Sequence, residues 1–346
     1  MSARFDAAVV IPVRDGLPDV LEAVASALAQ TQAPAEIVVV DDASQDGSGD
    51  AVERRFGARV RLVRGRFGSA AAARNAGWRA CRAPFVAFLD ADDLWRPEKL
   101  AVAAECFAAA PAADWFFSDG AFRTLDGQLH ASWFGLYADL AEPWCGAPLA
   151  QLFEVNFVLT SSAIVRRSAL EALDGFDERL SHAEDLDLWI RLSRRGLATA
   201  SRRALVRYQH REGGLTRQTE SRLRGGIALF SRLAADVALP PALRRSAARR
   251  ASLYRYKLAL NALRAGRRAE ARGGFASAWH FPERTVPVAL GLAATLLPPA
   301  LFGRLRGRRA AVAAVTPMVA VRRVVLRGWD DRAVPRAAGE ARRERP

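Results

Sequence analysis

Two apolar runs in this chain end in carboxylates, and few folds accommodate that arrangement. Ile37-Val38-Val39-Val40 runs into Asp41-Asp42, and Phe85-Val86-Ala87-Phe88-Leu89 runs into Asp90-Ala91-Asp92-Asp93. Short continuous apolar runs are what strands buried on both faces require. A carboxylate at the end of such a strand lies at the rim of the sheet, where it needs a cation or strong donors. In open α/β sheets that rim is also where ligands bind. The pattern points to a nucleoside diphosphate held there through a divalent cation.

The surrounding sequence alternates in the way such a sheet demands. Strands are expected at Ala7–Val13, Glu36–Asp41, Val60–Val63 and Phe85–Asp90, with helices at Leu17–Gln30, Ser69–Arg82 and from Pro97 to about Ala110. Strands alternating with helices predict a mostly parallel, Rossmann-like α/β sheet covered on both faces. Further on, Phe122–His130 reads as a hairpin around Asp126-Gly127. Ser162–Arg166 reads as a strand, Ser168–Leu173 as a helix, and Ala183–Arg195 as a helix closed by Gly196. From Ser221 onward the chain is helical and Arg-rich. Residues 1–220 are thus expected to form the main domain, in halves 6–120 and 121–220. Residues 221–329 are expected to form a basic helical extension, and 330–346 a disordered tail.

Charge divides the chain in the same place. Residues 1–200 carry a net charge of −8 and residues 201–346 carry +22. The basic part needs an anionic partner: acidic lipid, nucleic acid or a phosphorylated substrate. Lys99 and Lys257 are the only lysines, and an Arg bias of that kind has a compositional explanation. Three scattered cysteines, Cys81, Cys106 and Cys145, fit a reduced, cytoplasmic protein with neither a disulfide framework nor a cysteine zinc site. The N-terminus lacks an apolar signal region. Val286 to Gly303, broken by Pro287, Pro298 and Pro299, suits an interface better than a membrane span.

Two common nucleotide signatures are missing. The turn after the first strand, Pro12-Val13-Arg14-Asp15-Gly16, is neither GxGxxG nor GxxxxGK[ST]. A carboxylate-based site stands in their place. Asp42 is suited to accept from a base imide, or else Asp41-Asp42-Ala43-Ser44 simply caps a turn. Asp90 and Asp92, as residues i and i+2 of an extended segment, would face one ligand and share Mg²⁺ or Mn²⁺ with substrate phosphate. Arg74, in Ala73-Arg74-Asn75-Ala76-Gly77, offers a fork of donors to a diphosphate, or is a solvated helix residue.

As an ordered set these pieces resemble the family 2 inverting glycosyltransferases, which have the GT-A fold. The matching stretches are Val9-Val10-Ile11-Pro12, Gln30-Thr31, Glu36 to Asp46, Ala73 to Gly77 and Phe88 to Asp93. Leu173-Asp174-Gly175-Phe176-Asp177-Glu178 and Ala183 to Trp189 extend the match. The resemblance implies that Pro12 and Asp42 contact the base, Arg74 the diphosphate, and Asp90 with Asp92 the sugar nucleotide and metal. The neighbours Val13, Asp41, Asn75 and Ala91 belong to the same expected donor site. His210 falls where the family often carries a diphosphate- or metal-contacting histidine. Val13-Arg14-Asp15 departs from the family's Thr-Tyr-Asn, so an aromatic platform for the base is missing.

Moving a sugar onto a hydroxyl requires a base for the hydroxyl proton, and Glu184-Asp185 is the candidate pair. Ser181-His182-Ala183-Glu184 fits a capping box, which would occupy Glu184 and leave Asp185 as the freer carboxylate. The expectation is a metal-dependent transferase using a nucleoside diphosphate sugar and a glycan or lipid-linked acceptor. Its basic extension would lie on the anionic, cytoplasmic face of the inner membrane. Two alternatives belong to other classes: nucleic-acid binding through the basic half, for which no binding module is evident, and a silent sugar-nucleotide scaffold.

Overall fold

The structure is a computed structural model that describes residues 5–123, 129–209, 219–278, 285–296 and 324–326. The first half follows β1 (Ala7–Val13), α1 (Asp19–Leu28), β2 (Glu36–Asp42), α2 (Ser48–Phe56), β3 (Arg61–Gly65), α3 (Ala70–Ala80), β4 (Phe85–Phe88), β5 (Leu94–Trp95) and α4 (Lys99–Ala109). Next come β6 (Ala113–Arg123), β7 (Leu129–His130), α5 (Phe134–Tyr137), β8 (Ala138–Leu140), β9 (Trp144–Gly146), α6 (Leu149–Glu154), β10 (Ile164–Arg166), α7 (Arg167–Leu173), α8 (Glu184–Arg195) and β11 (Leu197–Tyr208). The last elements are α9 (Thr219–Ala235), α10 (Pro241–Arg264), α11 (Arg268–Ser277), α12 (Thr285–Leu296) and β12 (Val324–Leu326).

One sheet organises the catalytic part, in the order β3-β2-β1-β4-β10-β6-β11-β5, with β7 added to β6 and β9 to β11. The first four strands are parallel, and β10 enters antiparallel between β4 and β6. Alternation along the buried strands builds two cores. Val10, Val38, Val40 and Phe88 face α3 and α8, whereas Val9, Ile11, Val39 and Leu89 face α1, α2 and α4. This is the α/β GT-A architecture expected from the alternating pattern.

Several elements depart from the sequence reading. The twelve-residue β11 and helix α2 were not anticipated. Polar residues at alternate positions of β11, and the Gly-Ser-Gly start of α2, blur the periodic signal. The segment after β4 is a turn rather than an extended strand end, because the Asp93 N–H donates to the Asp90 carbonyl at 3.0 Å. Of the expected hairpin, the pairing Phe122↔His130 is formed and residues 124–128 lie outside the described residues.

The helical extension is joined to the catalytic core. Leu229, Phe230 and Leu233 of α9 and Ala247 and Ala251 of α10 are buried in the same cluster as Val10 and Trp189. A smaller core of Tyr256, Leu260, Phe275 and Val288 unites α10, α11 and α12. Among the described residues no helix is long and apolar enough to cross a membrane. The expected tail, 330–346, lies outside the described residues.

Candidate functional site

Arg74 is the centre of the site. Ser69 caps α3 by accepting from the Ala72 N–H at 3.1 Å, and the helix carries Arg74 under the end of the sheet. Only 6% of the side chain is exposed, so its charge needs partners. It finds two: one terminal nitrogen donates to Asp90 Oδ1 at 2.6 Å and the other to Glu184 Oε1 at 2.9 Å. The guanidinium also lies 5.5 Å from the centre of the Phe176 ring. Burial opposes its charge, yet Asp90 and Glu184 more than offset this and hold the pKa above its ordinary value. Residues 110 positions apart in sequence thereby meet across one guanidinium.

The expected capping box is not formed. Glu184 reaches Arg74 instead of closing its own helix, and α8 begins after Ala183 with no side-chain cap. A buried cation attracts a carboxylate more strongly than a backbone N–H does, which decides the competition. Asp185 stays beside the pair. Its Oδ2 accepts from Asn156 Nδ2 at 2.9 Å, and its Oδ1 from the Leu186 N–H at 2.7 Å. Burial, with Glu184 adjoining, pushes its pKa up to about 6.

The acidic turn after β4 divides its labour. Asp90 turns to Arg74. Asp93 is buried and points inward, where Oδ2 accepts from Ser161 Oγ at 2.5 Å and Oδ1 from the Gln209 N–H at 3.1 Å. Burial and the nearby Asp90 and Asp92 raise the Asp93 pKa. Ser161 also accepts from the Asp90 N–H at 3.0 Å, so one hydroxyl holds both ends of the turn. Asp92 and Ala91, at its tip, are partly exposed. Beneath it, Lys99 is fully buried and donates to the Ser162 carbonyl at 2.8 Å, and burial lowers its pKa to about 7.

At the other strand end, Asp42 Oδ1 accepts from the backbone N–H groups of Phe67 and Gly68 at 2.5 and 2.9 Å, with Arg14 at 3.8 Å. Asp41 performs the turn-capping role, accepting from the Ser44 N–H at 2.9 Å. β1 lies between β2 and β4, so Asp42 and Asp90 sit at strand ends about 10 Å apart by strand spacing. Val13 is buried, Pro12 partly so, and a side chain at Gly16 would come within 3.7 Å of Ala91. The β1 loop and the acidic turn therefore border one crevice. Asn75 faces elsewhere: it donates to the Phe176 carbonyl and to Glu178, and accepts from Trp78 and the Phe176 N–H. His210 lies outside the described residues.

Sequence reasoning missed Arg14 beside Asp42, Asn156 behind Asp185, Ser161 under the acidic turn, and Lys99. A signal for Lys99 existed, since a lysine in a chain that otherwise uses Arg almost throughout marks a position where the two differ.

Comparison with known proteins agrees with this layout. The family model described as Glycosyl transferase family 2 matches residues 8–173. The O-antigen biosynthesis protein RfbC of Myxococcus xanthus is 34% identical over 200 residues, 56% of this chain and 15% of that protein. The chain spans about half the length of an uncharacterized glycosyltransferase of Nostoc, to which it is 32% identical over 169 residues, 45% of this chain. Among solved structures, S. aureus TarS 1-349 in complex with UDP-GlcNAc superposes with a TM-score of 0.60 at 18% identity. That match covers 88% of this chain and 89% of the other. The Pyrobaculum calidifontis mannosyltransferase PcManGT, in complex with GDP-Man and Mn²⁺, gives 0.56 at 20% identity, covering 89% and 85%. With motif order, sheet topology and family match in agreement, the chain belongs to glycosyl transferase family 2.

Proposed function

We propose that the chain is an inverting glycosyltransferase that moves a sugar from a nucleoside diphosphate donor, UDP-linked, to a hydroxyl of a glycan or lipid-linked acceptor. The observation that carries this reading is Arg74, buried between Asp90 and Glu184 with Asp185 alongside. The donor-side acid and the base-side acids are thus tied to one cation at hydrogen-bond distance.

Asp185 serves as the base. Asn156 and the Leu186 N–H orient its carboxylate, and a pKa of about 6 lets it take a hydroxyl proton near neutral pH. Inversion requires the acceptor to approach opposite the departing diphosphate. Arg74 faces that diphosphate; its Nε is buried and has no hydrogen-bond partner among the described residues, a donor left for a phosphate oxygen. Asp42 and Pro12 border the base pocket, and Val13, Asp41, Asn75 and Ala91 support it.

A divalent cation fits the donor set. Asp90 and Asp92 offer hard oxygen ligands, and no group of three or more metal-ligating side chains occurs among the described residues. Mg²⁺ or Mn²⁺ commonly takes only one or two carboxylates and completes its shell with substrate phosphate and water. When bound, the ion neutralises charge on the departing diphosphate. His210 is a further proposed ligand.

The RfbC relative, named for O-antigen biosynthesis, supports a role in cell-surface polysaccharide synthesis. The Arg-rich α10, and Leu290 and Leu296 exposed on α12, support peripheral attachment at the cytoplasmic face of an anionic membrane. The direct test of the donor site is a thermal-shift screen of UDP-GlcNAc and GDP-mannose with and without Mn²⁺. A nucleotide sugar at a hundredfold its Kd should add about 2.7 kcal/mol and raise Tm by several degrees. The rise should be larger with Mn²⁺. No rise with any nucleotide sugar overturns the reading.

A further inference from the structure

We propose that helix α9, outside the residues matched by the family model, is a positioning element for the Glu184–Asp185 pair and acts through His182. The inference rests on the transferase reading above, in which that pair faces the acceptor.

Three contacts carry it. Gly225 of α9 lies directly against the backbone of His182. A β-carbon there would sit 2.6 Å from the His182 carbonyl oxygen and 2.9 Å from its Cβ, which no packed structure accepts. One turn earlier, Ser221 Oγ shares a 3.0 Å hydrogen bond with His182 Nδ1, and His182 is only 8% exposed. Farther along, Arg232 pairs with both Asp187 of α8 and Asp177. Helix α9 thus grips the chain on both sides of the catalytic pair.

The residue between the grip and the pair explains why gripping matters. Ala183 has φ +66°, a left-handed conformation that costs a non-glycine residue about 1 kcal/mol or more. Such a conformation persists only where surrounding contacts over-determine it. If Ala183 relaxed toward ordinary backbone angles, Glu184 would swing away from Arg74 and Asp185 from Asn156. The lost pairing would leave donor contacts at β1, β2 and the acidic turn in place. Donor binding and turnover therefore separate.

Gly225→Ala is the test, with Gly273→Ala in α11 as its control, since a β-carbon at Gly273 meets nothing within 4 Å. Both changes add the same helix propensity, so only the clash with His182 differs. Hydrogen exchange and steady-state kinetics are measured on the full chain, with the nucleotide sugar that the wild type turns over. Gly225→Ala should speed amide exchange over residues 181–188, leave 37–42 and 85–88 unchanged, and lower kcat at least tenfold with donor KM within twofold. Ser221→Ala should do the same more mildly, and Ser221→Thr, which keeps the hydroxyl, should recover. Gly273→Ala should match the wild type throughout. Unchanged exchange at 181–188 overturns the proposal, and so does unchanged kcat or an equal fall in donor affinity. A wild type that turns over no nucleotide sugar counts against the transferase reading, and the exchange data alone then decide whether α9 holds the segment.

Discussion

Two cations are buried in the catalytic part of this chain, and they are buried in opposite ways. Arg74 sits between two carboxylates, whose attraction keeps it charged despite the loss of water. Lys99 has a carbonyl and the faces of Trp95 and Phe116, at 5.2 and 5.4 Å from the ring centres, and its pKa falls to about 7. Paired burial joins distant segments through charge and creates a polarised crevice. Unpaired burial holds one turn, Thr160–Ser162, whose Ser161 steadies the acidic turn. The comparison suggests that Arg74 belongs to chemistry and Lys99 to architecture.

Removing the base beside the paired cation should have the largest effect. Asp185→Asn should lower transfer by about three orders of magnitude, within the range of general-base catalysis, while donor binding survives. In the wild type, kcat should fall about tenfold per pH unit below pH 6, where Asp185 becomes protonated. A raised carboxylate pKa contributes stability below the unfolded value near 4 that is lost as pH rises through about 6. The neutral amide should therefore add about 1 kcal/mol at pH 7 in chemical denaturation. Unchanged transfer would move the base away from Asp185.

Next comes the paired cation itself. Arg74→Met leaves Asp90 and Glu184 facing each other without a counter-charge. Stability should drop by about 3 kcal/mol, the low end for a broken buried pair because Asp90 is 28% exposed. Turnover should fall at least a hundredfold, measured at saturating donor. A loss confined to stability would erase the distinction drawn from Lys99.

The smallest effect belongs to the unpaired cation. A depressed lysine pKa means that the unfolded chain binds more protons between about pH 7 and pH 10.5, so the wild type gains stability as pH rises through that window. The gain is at most about 1.4 kcal/mol per pH unit. Lys99→Met should lack that slope, with kcat changed less than about fivefold. Denaturation of both proteins at pH 7 and pH 9 measures the difference, and parallel slopes would mean that Lys99 stays charged.

What could be read in advance follows from range. Strand alternation, the two acidic strand ends, and helix α3 with its Ser69 start are local patterns, and the structure contains each of them. The expected extended geometry at Asp90–Asp92 and the capping box at Ser181–Glu184 were local patterns as well, and both yielded to distant partners. Asp93 bends its turn toward Ser161, 68 residues away, and Glu184 abandons its own helix end for Arg74. A buried charge gains more from a remote opposite charge than from a neighbouring backbone group, and no sequence window contains that comparison.

By itself the amino-acid order determined the α/β class, the strands that end in acid and the family, because burial periodicity and residue type are written in adjacent positions. Tertiary structure alone decided which acids meet Arg74, which one turns inward, and that the basic helices close against the catalytic part through Gly225, Phe230 and Arg232. Those outcomes depend on distances between segments far apart in the chain, where desolvation and charge pairing act and local propensity has no reach.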